Sequence, residues 1–130
     1  MNIKGVIIHC SDSKPHRGDT AETIHRWHKE CGWDGIGYHK VILENGNIEN
    51  GRPLYWPGAH AKGYNDYVGI CLIGIDEFTD EQFYALNDLI QSLVLEYGIQ
   101  ASEIKGHYEV SSKTCPNFDV STFKIEHGIA

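Results

Sequence analysis

No stretch of this chain is apolar for long enough to cross a membrane or to form the core of a secretion signal. The opening MNIKGVIIHCSDS carries one lysine and one short apolar run. A protein made in the cytosol and kept out of the membrane is the expectation. Runs of Lys and Arg are missing too: 11 basic residues against 18 acidic ones give a formal net charge of -7. Without a basic stripe to displace counterions from phosphate, direct nucleic-acid binding is not expected. Neither a CxxC pair nor an HExxH helix is present to fix a metal locally. There is also no low-complexity segment and no repeat. Four cysteines, Cys10, Cys31, Cys71 and Cys115, are an even number and so admit disulfides. A reducing compartment argues against them, and Cys10, Cys31 and Cys71 are read as small buried hydrophobes.

What is there suits one domain. At 130 residues, with 41% hydrophobic and 22% charged side chains, the chain can bury about two-thirds of its unfolded surface, so residues 1–130 are read as a single unit. A first strand over Lys4 to Cys10 puts Val6 and Ile8 on one face and Ile7 and His9 on the other. Asp19 or Thr20 can cap a helix running to Cys31, with Ile24, Trp27, His28 and Cys31 as its buried stripe. A second strand is expected over Gly35 to Leu43. Asn45-Gly46 then signals a hairpin to a returning strand at Ile48 to Asn50. Gly51 to Asp66 has no period, and a loop that long in a compact domain is more often functional than idle. Tyr67 to Ile75, apolar on both sides, reads as a central strand. A long helix follows, capped by Thr79 with Gln82 completing a capping box. Phe83, Leu86, Leu89, Ile90, Leu93, Val94 and Tyr97 form its apolar face, and Gly98 is its stop. A short final strand is expected to carry His107, and a last helix to span Val120 to His127. Together these give an α/β fold: a mixed central sheet of about five strands flanked by helices.

Within HYEVSSKTCP, His107, Lys113 and Cys115 place an imidazole, an ammonium and a thiol just before a proline. That is a metal-site composition, but a catalytic zinc usually takes three protein side chains. His9, at the end of the first apolar strand, is the best third candidate. Such a site is assembled by the fold rather than by one loop.

Four motifs, HCSDS, IHRWHKECGWDGIGYH, GAHAKGYN followed by VGICLIG, and GHYEVSSKTCPNFD, resemble in that order the zinc-dependent N-acetylmuramoyl-L-alanine amidases. The likeness is strongest to the small phage lysozymes of this type and weaker to animal peptidoglycan recognition proteins. It spans residues 3–119. The resemblance implies one zinc ion held by His9, His107 and Cys115, with Tyr38 and Lys113 as catalytic residues. It also implies that His60 and Asn65 line the substrate groove. Tyr108 departs from the pattern, since the phage enzymes often repeat His there, but it adjoins a ligand without matching one. Of the remaining histidines, His39 is taken as structural, and His16, His25, His28 and His127 have no assigned partner. Glu109 is a weaker candidate to orient a ligand, and Trp56 is either a sugar platform or a loop anchor.

The activity so implied is hydrolysis of the amide between N-acetylmuramic acid and L-alanine in peptidoglycan, as a phage or prophage endolysin. The enzyme would act as a monomer stored in the host cytoplasm until release onto the wall. Two other roles stand beside it. One is a non-catalytic peptidoglycan-binding module, against which Cys115 argues because such relatives typically lose the Cys ligand. The other is a second role as inhibitor of the phage RNA polymerase.

Overall fold

A computed structural model describes residues 1–129, and among the described residues five strands and three α-helices form two cores on opposite faces of one sheet. The strands are β1 (Val6–Cys10), β2 (Lys40–Ile42), β3 (Ile48–Asn50), β4 (Val68–Leu72) and β5 (Ile104–Gly106). The helices are α1 (Ala21–Glu30), α2 (Asp80–Tyr97) and α3 (Val120–Glu126). Sheet order is β3-β2-β4-β1-β5, with β3 antiparallel to β2 and the other neighbours parallel. The mixed sheet and its central β4 are as the sequence implies.

Alternation along the strands sorts the side chains between the faces. Val6, Ile8, Ile42, Val68, Ile70 and Leu72 pack with Leu86, Ile90 and Leu93 of α2 and with Val120 and Phe123 of α3. Val41 and Cys71 face the other way, against Ala21 and Ile24 of α1 and Ile36. Ile7 meets Ala61 and Tyr67 from the long loop on that same side. His9 shares the face of Ile7 and is only 1% exposed.

Both long helices carry their expected starts. Thr79 accepts from the Gln82 N–H at 3.1 Å while the Gln82 side chain accepts from the Thr79 N–H at 3.0 Å. Gly98 closes α2 at φ 65, a left-handed cap that glycine adopts without strain. Thr20 caps α1 with Thr23 as the reciprocal partner. The hairpin pairs Ile42 with Ile48 around Gly46 at φ 88.

Four expectations need correction. Cys31 is exposed rather than buried, because α1 ends at Glu30 and Cys31 is its C-cap, past the last turn that faces the sheet. His107 does not lie in a strand: β5 stops at Gly106, and His107 opens a short 3-10 turn over His107–Glu109. Residues 35–39 are irregular rather than part of a strand. Tyr97 is exposed, since the buried stripe of α2 ends at Leu93. All four cysteines are free thiols. None of the helices among the described residues is long and apolar enough to cross a membrane.

His39 is fully buried between elements. Its Nδ1 accepts the Gly69 N–H at 3.0 Å and its Nε2 donates to the Trp56 carbonyl at 2.8 Å. Burial holds both His39 and His28 below the usual imidazole range. A histidine whose folded pKa is depressed binds more protons when unfolded, so its contribution is complete above the unfolded value and declines as pH falls below it. The urea midpoint, measured with a chelator present, is therefore expected to fall between about pH 6.5 and 5, above the ordinary carboxylate range. A midpoint constant across that window would contradict the burial of neutral imidazoles.

Candidate metal centre and substrate pocket

The site forms where the parallel strands β1 and β5 end side by side. Ile8 pairs with Gly106, so His107 leaves β5 beside His9, which is still in β1 and pairs with Cys71 of β4. Their ring centroids lie 4.4 Å apart. Ligands of open α/β sheets bind outside the carboxyl ends of the strands, and this edge is such a place. The chain then returns after the His107–Glu109 turn to bring Cys115 under Cys10, whose N–H donates to Cys115 Sγ at 3.0 Å. One donor atom from each of His9, His107 and Cys115 lies within 4.8 Å of the other two.

Local hydrogen bonds fix the loop that carries these groups. Glu109 Oε2 accepts the Gly106 N–H at 2.7 Å, which closes the turn at His107 through the backbone. Ser111 Oγ donates to the His107 carbonyl at 3.0 Å and accepts the Lys113 N–H at 3.1 Å. The Tyr108 N–H donates to the Cys115 carbonyl at 2.9 Å, tying the two ends of the loop together.

Tyr38 reaches the pocket from an irregular segment that is clamped on both sides. His25 Nδ1 accepts the Ile36 N–H and His28 Nδ1 accepts the Gly37 N–H, both at 3.0 Å. On the other side Ala59 donates to the Gly37 carbonyl at 3.0 Å and Arg52 to the Tyr38 carbonyl at 2.8 Å. A Cβ on Gly37 would sit 2.1 Å from the Ala59 carbonyl oxygen, so the clamp requires glycine there. The Tyr38 ring packs against His9 with centroids 4.9 Å apart. Two histidines without an assigned partner in the sequence, His25 and His28, thus hold the tyrosine segment. Their spacing of three along a helix places both imidazoles on one face.

His60 stands behind His9, its Nδ1 2.9 Å from His9 Nε2 and its Nε2 2.9 Å from the Tyr67 carbonyl. Asn65 Oδ1 accepts the N–H groups of His60 and Ala61 at 2.8 and 3.0 Å, so this side chain shapes the loop that presents His60. His9, Tyr38, His60, His107, Lys113 and Cys115 all line one pocket of about 360 Å³. A wider cleft lined by Trp33, Lys62, Asn65 and Ser111 adjoins it and shares His60, His107 and Lys113. A groove bearing Asp76, Tyr108, Phe118 and Asp119 also adjoins it, sharing Lys113 and Asn117. Trp56 is exposed and serves the fold through its carbonyl.

The electrostatics favour neutral imidazoles. Burial, reinforced by the nearby His60 and His107, holds His9 well below the usual range. Burial and the charge of Lys113 lower His107, and burial takes His60 down to about 4. Burial raises the Tyr38 phenol well above its usual value, keeping it protonated at neutral pH. A hydrogen bond with the Cys10 thiol, followed by burial, pushes the Cys115 thiol up. A bound cation reverses that preference because the thiolate is the ligating form. Two imidazoles and a thiol, converging from β1 and from the loop after β5, form a donor set that could hold a metal ion.

Comparison with known proteins identifies relatives over most of the chain. The family model described as N-acetylmuramoyl-L-alanine amidase matches residues 1–118. The endolysin of Enterobacteria phage T3 is 38% identical over 126 residues, covering 90% of this chain and 82% of that protein. The endolysin of Escherichia phage T7 is 39% identical, covering 88% and 81% respectively. Among solved structures, the N-acetylmuramoyl-L-alanine amidase LysC from Clostridium intestinale superposes with a TM-score of 0.88 at 32% identity, covering 99% of this chain and 87% of that one.

Proposed function

Because the chain belongs to the N-acetylmuramoyl-L-alanine amidase family and is a peptidoglycan amidase of the phage endolysin type, we propose that it works with one zinc ion held by His9, His107 and Cys115, and that Tyr38 and Lys113 are its catalytic residues. The observation that carries this reading is the convergence of those three donor atoms within 4.8 Å, in a pocket lined by both Tyr38 and Lys113.

The reaction breaks the amide between the lactyl group of N-acetylmuramic acid and L-alanine. When bound, the metal supplies a water-derived nucleophile at neutral pH and Lewis acidity toward the carbonyl. The protein's ligand set carries a single negative charge, one thiolate beside two neutral imidazoles, which leaves a divalent ion electrophilic. Lys113, on the pocket rim, donates to the oxyanion that forms as the carbonyl carbon becomes tetrahedral. Tyr38, a buried neutral phenol, hydrogen-bonds at the reacting centre and would pass its proton to the departing alanine nitrogen while taking one back from the attacking water. No Glu lies in a zincin-type motif to take that part. His60 and Asn65 form the wall and loop past which substrate runs.

Purified peptidoglycan incubated with the protein tests the reaction. Mass spectrometry is expected to show new stem peptides with free L-alanine amino termini. Fragments cut within the glycan or the stem, with no such termini, would overturn the reading. The remaining parts of the proposal are a monomeric enzyme, stored in the host cytoplasm until release, and a second contact with phage RNA polymerase. Light scattering checks the first, fractionation before and after lysis the second, and a pull-down with the cognate polymerase the third.

A further inference from the structure

We infer that His60 is a positioning residue that selects which nitrogen His9 turns to the metal, leaving Nδ1 free by engaging Nε2. The inference rests on the reading of His9, His107 and Cys115 as ligands, and deepens it.

The argument is one of donors and acceptors. A peptide carbonyl can only accept, so the 2.9 Å contact between His60 Nε2 and the Tyr67 carbonyl requires the proton on Nε2. The neutral His60 ring then has its lone pair on Nδ1, the atom 2.9 Å from His9 Nε2. That contact is a hydrogen bond only if His9 carries its own proton on Nε2. His9 Nδ1 is left with a lone pair and no proton, which is the form a cation accepts. The opposite arrangement, with the His60 proton on Nδ1, would leave Nε2 and the Tyr67 carbonyl facing each other as two acceptors.

The His60 ring is held where this relay needs it. A Cβ on Gly58 would lie 2.4 Å from its Cδ2, and a Cβ on Gly69 would lie 2.6 Å from the ring, so two glycines form the slot. Asn65 Oδ1 fixes the backbone at the entrance of the slot through the His60 and Ala61 N–H groups. Gly69 pairs with Ile7 in the parallel register, two residues from His9, so the slot is built into the sheet that carries the ligand. Partners that orient a ligating histidine through its other nitrogen typically contribute about 10- to 100-fold in metal affinity.

Zinc affinity, measured by competition with a chromophoric chelator, and the imidazole tautomer in the metal-stripped chain, read from long-range proton–nitrogen NMR at neutral pH, test this together. His60→Leu, which removes the acceptor, is expected to weaken zinc binding by about 10- to 100-fold and to leave His9 as a mixture of tautomers. His60→Asn, which returns an amide oxygen near the place of Nδ1, is expected to restore most of the affinity and the Nε2–H form of His9. Unchanged affinity in His60→Leu would overturn the inference. So would an Nδ1–H tautomer of His9 in the unsubstituted protein, a measurement that needs no variant to fold. His9→Ala separates the two levels: if it binds zinc as tightly as the parent chain, the ligand reading itself fails, whatever His60 does.

Discussion

Cys115→Ser is expected to lose the metal and, with it, all turnover above the level of the chelated protein. The substitution is small, and the loop is held by contacts besides those of the sulfur. The Tyr108 N–H holds the Cys115 carbonyl at 2.9 Å, and Asn117 Nδ2 donates to the Ile75 carbonyl at 2.6 Å, both independently of Sγ. A serine there should therefore fold. What it cannot do is ionise: a hydroxyl stays neutral at pH 7, so the site would lose its anionic donor and the soft sulfur that suits zinc. The Cys10 N–H, which donates to Sγ at 3.0 Å and would strengthen a thiolate there, would face a neutral hydroxyl instead. Metal content by elemental analysis, with circular dichroism to confirm the fold, separates lost ligation from lost structure. A folded Cys115→Ser protein carrying one zinc and cleaving peptidoglycan at the parent rate would remove Cys115 from the ligand set.

Lys113→Ala is expected to keep the metal and lose about two to three orders of magnitude in kcat, corresponding to ~3 kcal/mol of barrier. The side chain lines the pocket beside His9 and His107, while its backbone N–H is held by Ser111 Oγ at 3.1 Å. Truncation thus removes the ammonium without releasing the loop. A donor that acts only on the tetrahedral oxyanion affects the transition state more than substrate binding, so kcat should fall while KM changes little. Lys113→Arg should recover only part of the loss, since a guanidinium fork does not place its protons where a compact ammonium does. Normal kcat in a zinc-loaded Lys113→Ala protein would exclude Lys113 from the mechanism. A rise in KM alone would make it a substrate anchor.

Much of the fold is legible in the sequence because its signals are local. Thr79, Gln82 and Gly98 delimit α2 through hydrogen bonds made within one turn. Asn45-Gly46 marks the β2–β3 hairpin, and the alternation of Val6 to His9 assigns His9 to the face that carries the site. The misreadings arise where side chains replace the ladder. Residues 35–39 look like a strand, yet the Ile36 and Gly37 N–H groups go to the imidazoles of His25 and His28 rather than to a neighbouring strand. Backbone donors have no residue-type signature, so neither histidine could be assigned a partner in advance. Cys31 fits the helical spacing of Ile24 and Trp27, but α1 ends one residue before it. At the site, local composition suggested His107, Lys113 and Cys115, and the end of the first apolar strand suggested His9. Tyr38, His60, Asn65 and the catalytic role of Lys113 came through the family resemblance, because the contacts that assemble the site are long-range: those joining His9 to His60 and Cys10 to Cys115 span 51 and 105 positions.

The most direct test of the account is a zinc titration of the metal-stripped protein, with turnover on purified peptidoglycan read as free L-alanine amino termini by mass spectrometry. Activity should be near zero without metal, rise in proportion to added zinc, and level off at one ion per chain. Full activity in the metal-stripped protein, or none at one zinc per chain, would contradict it.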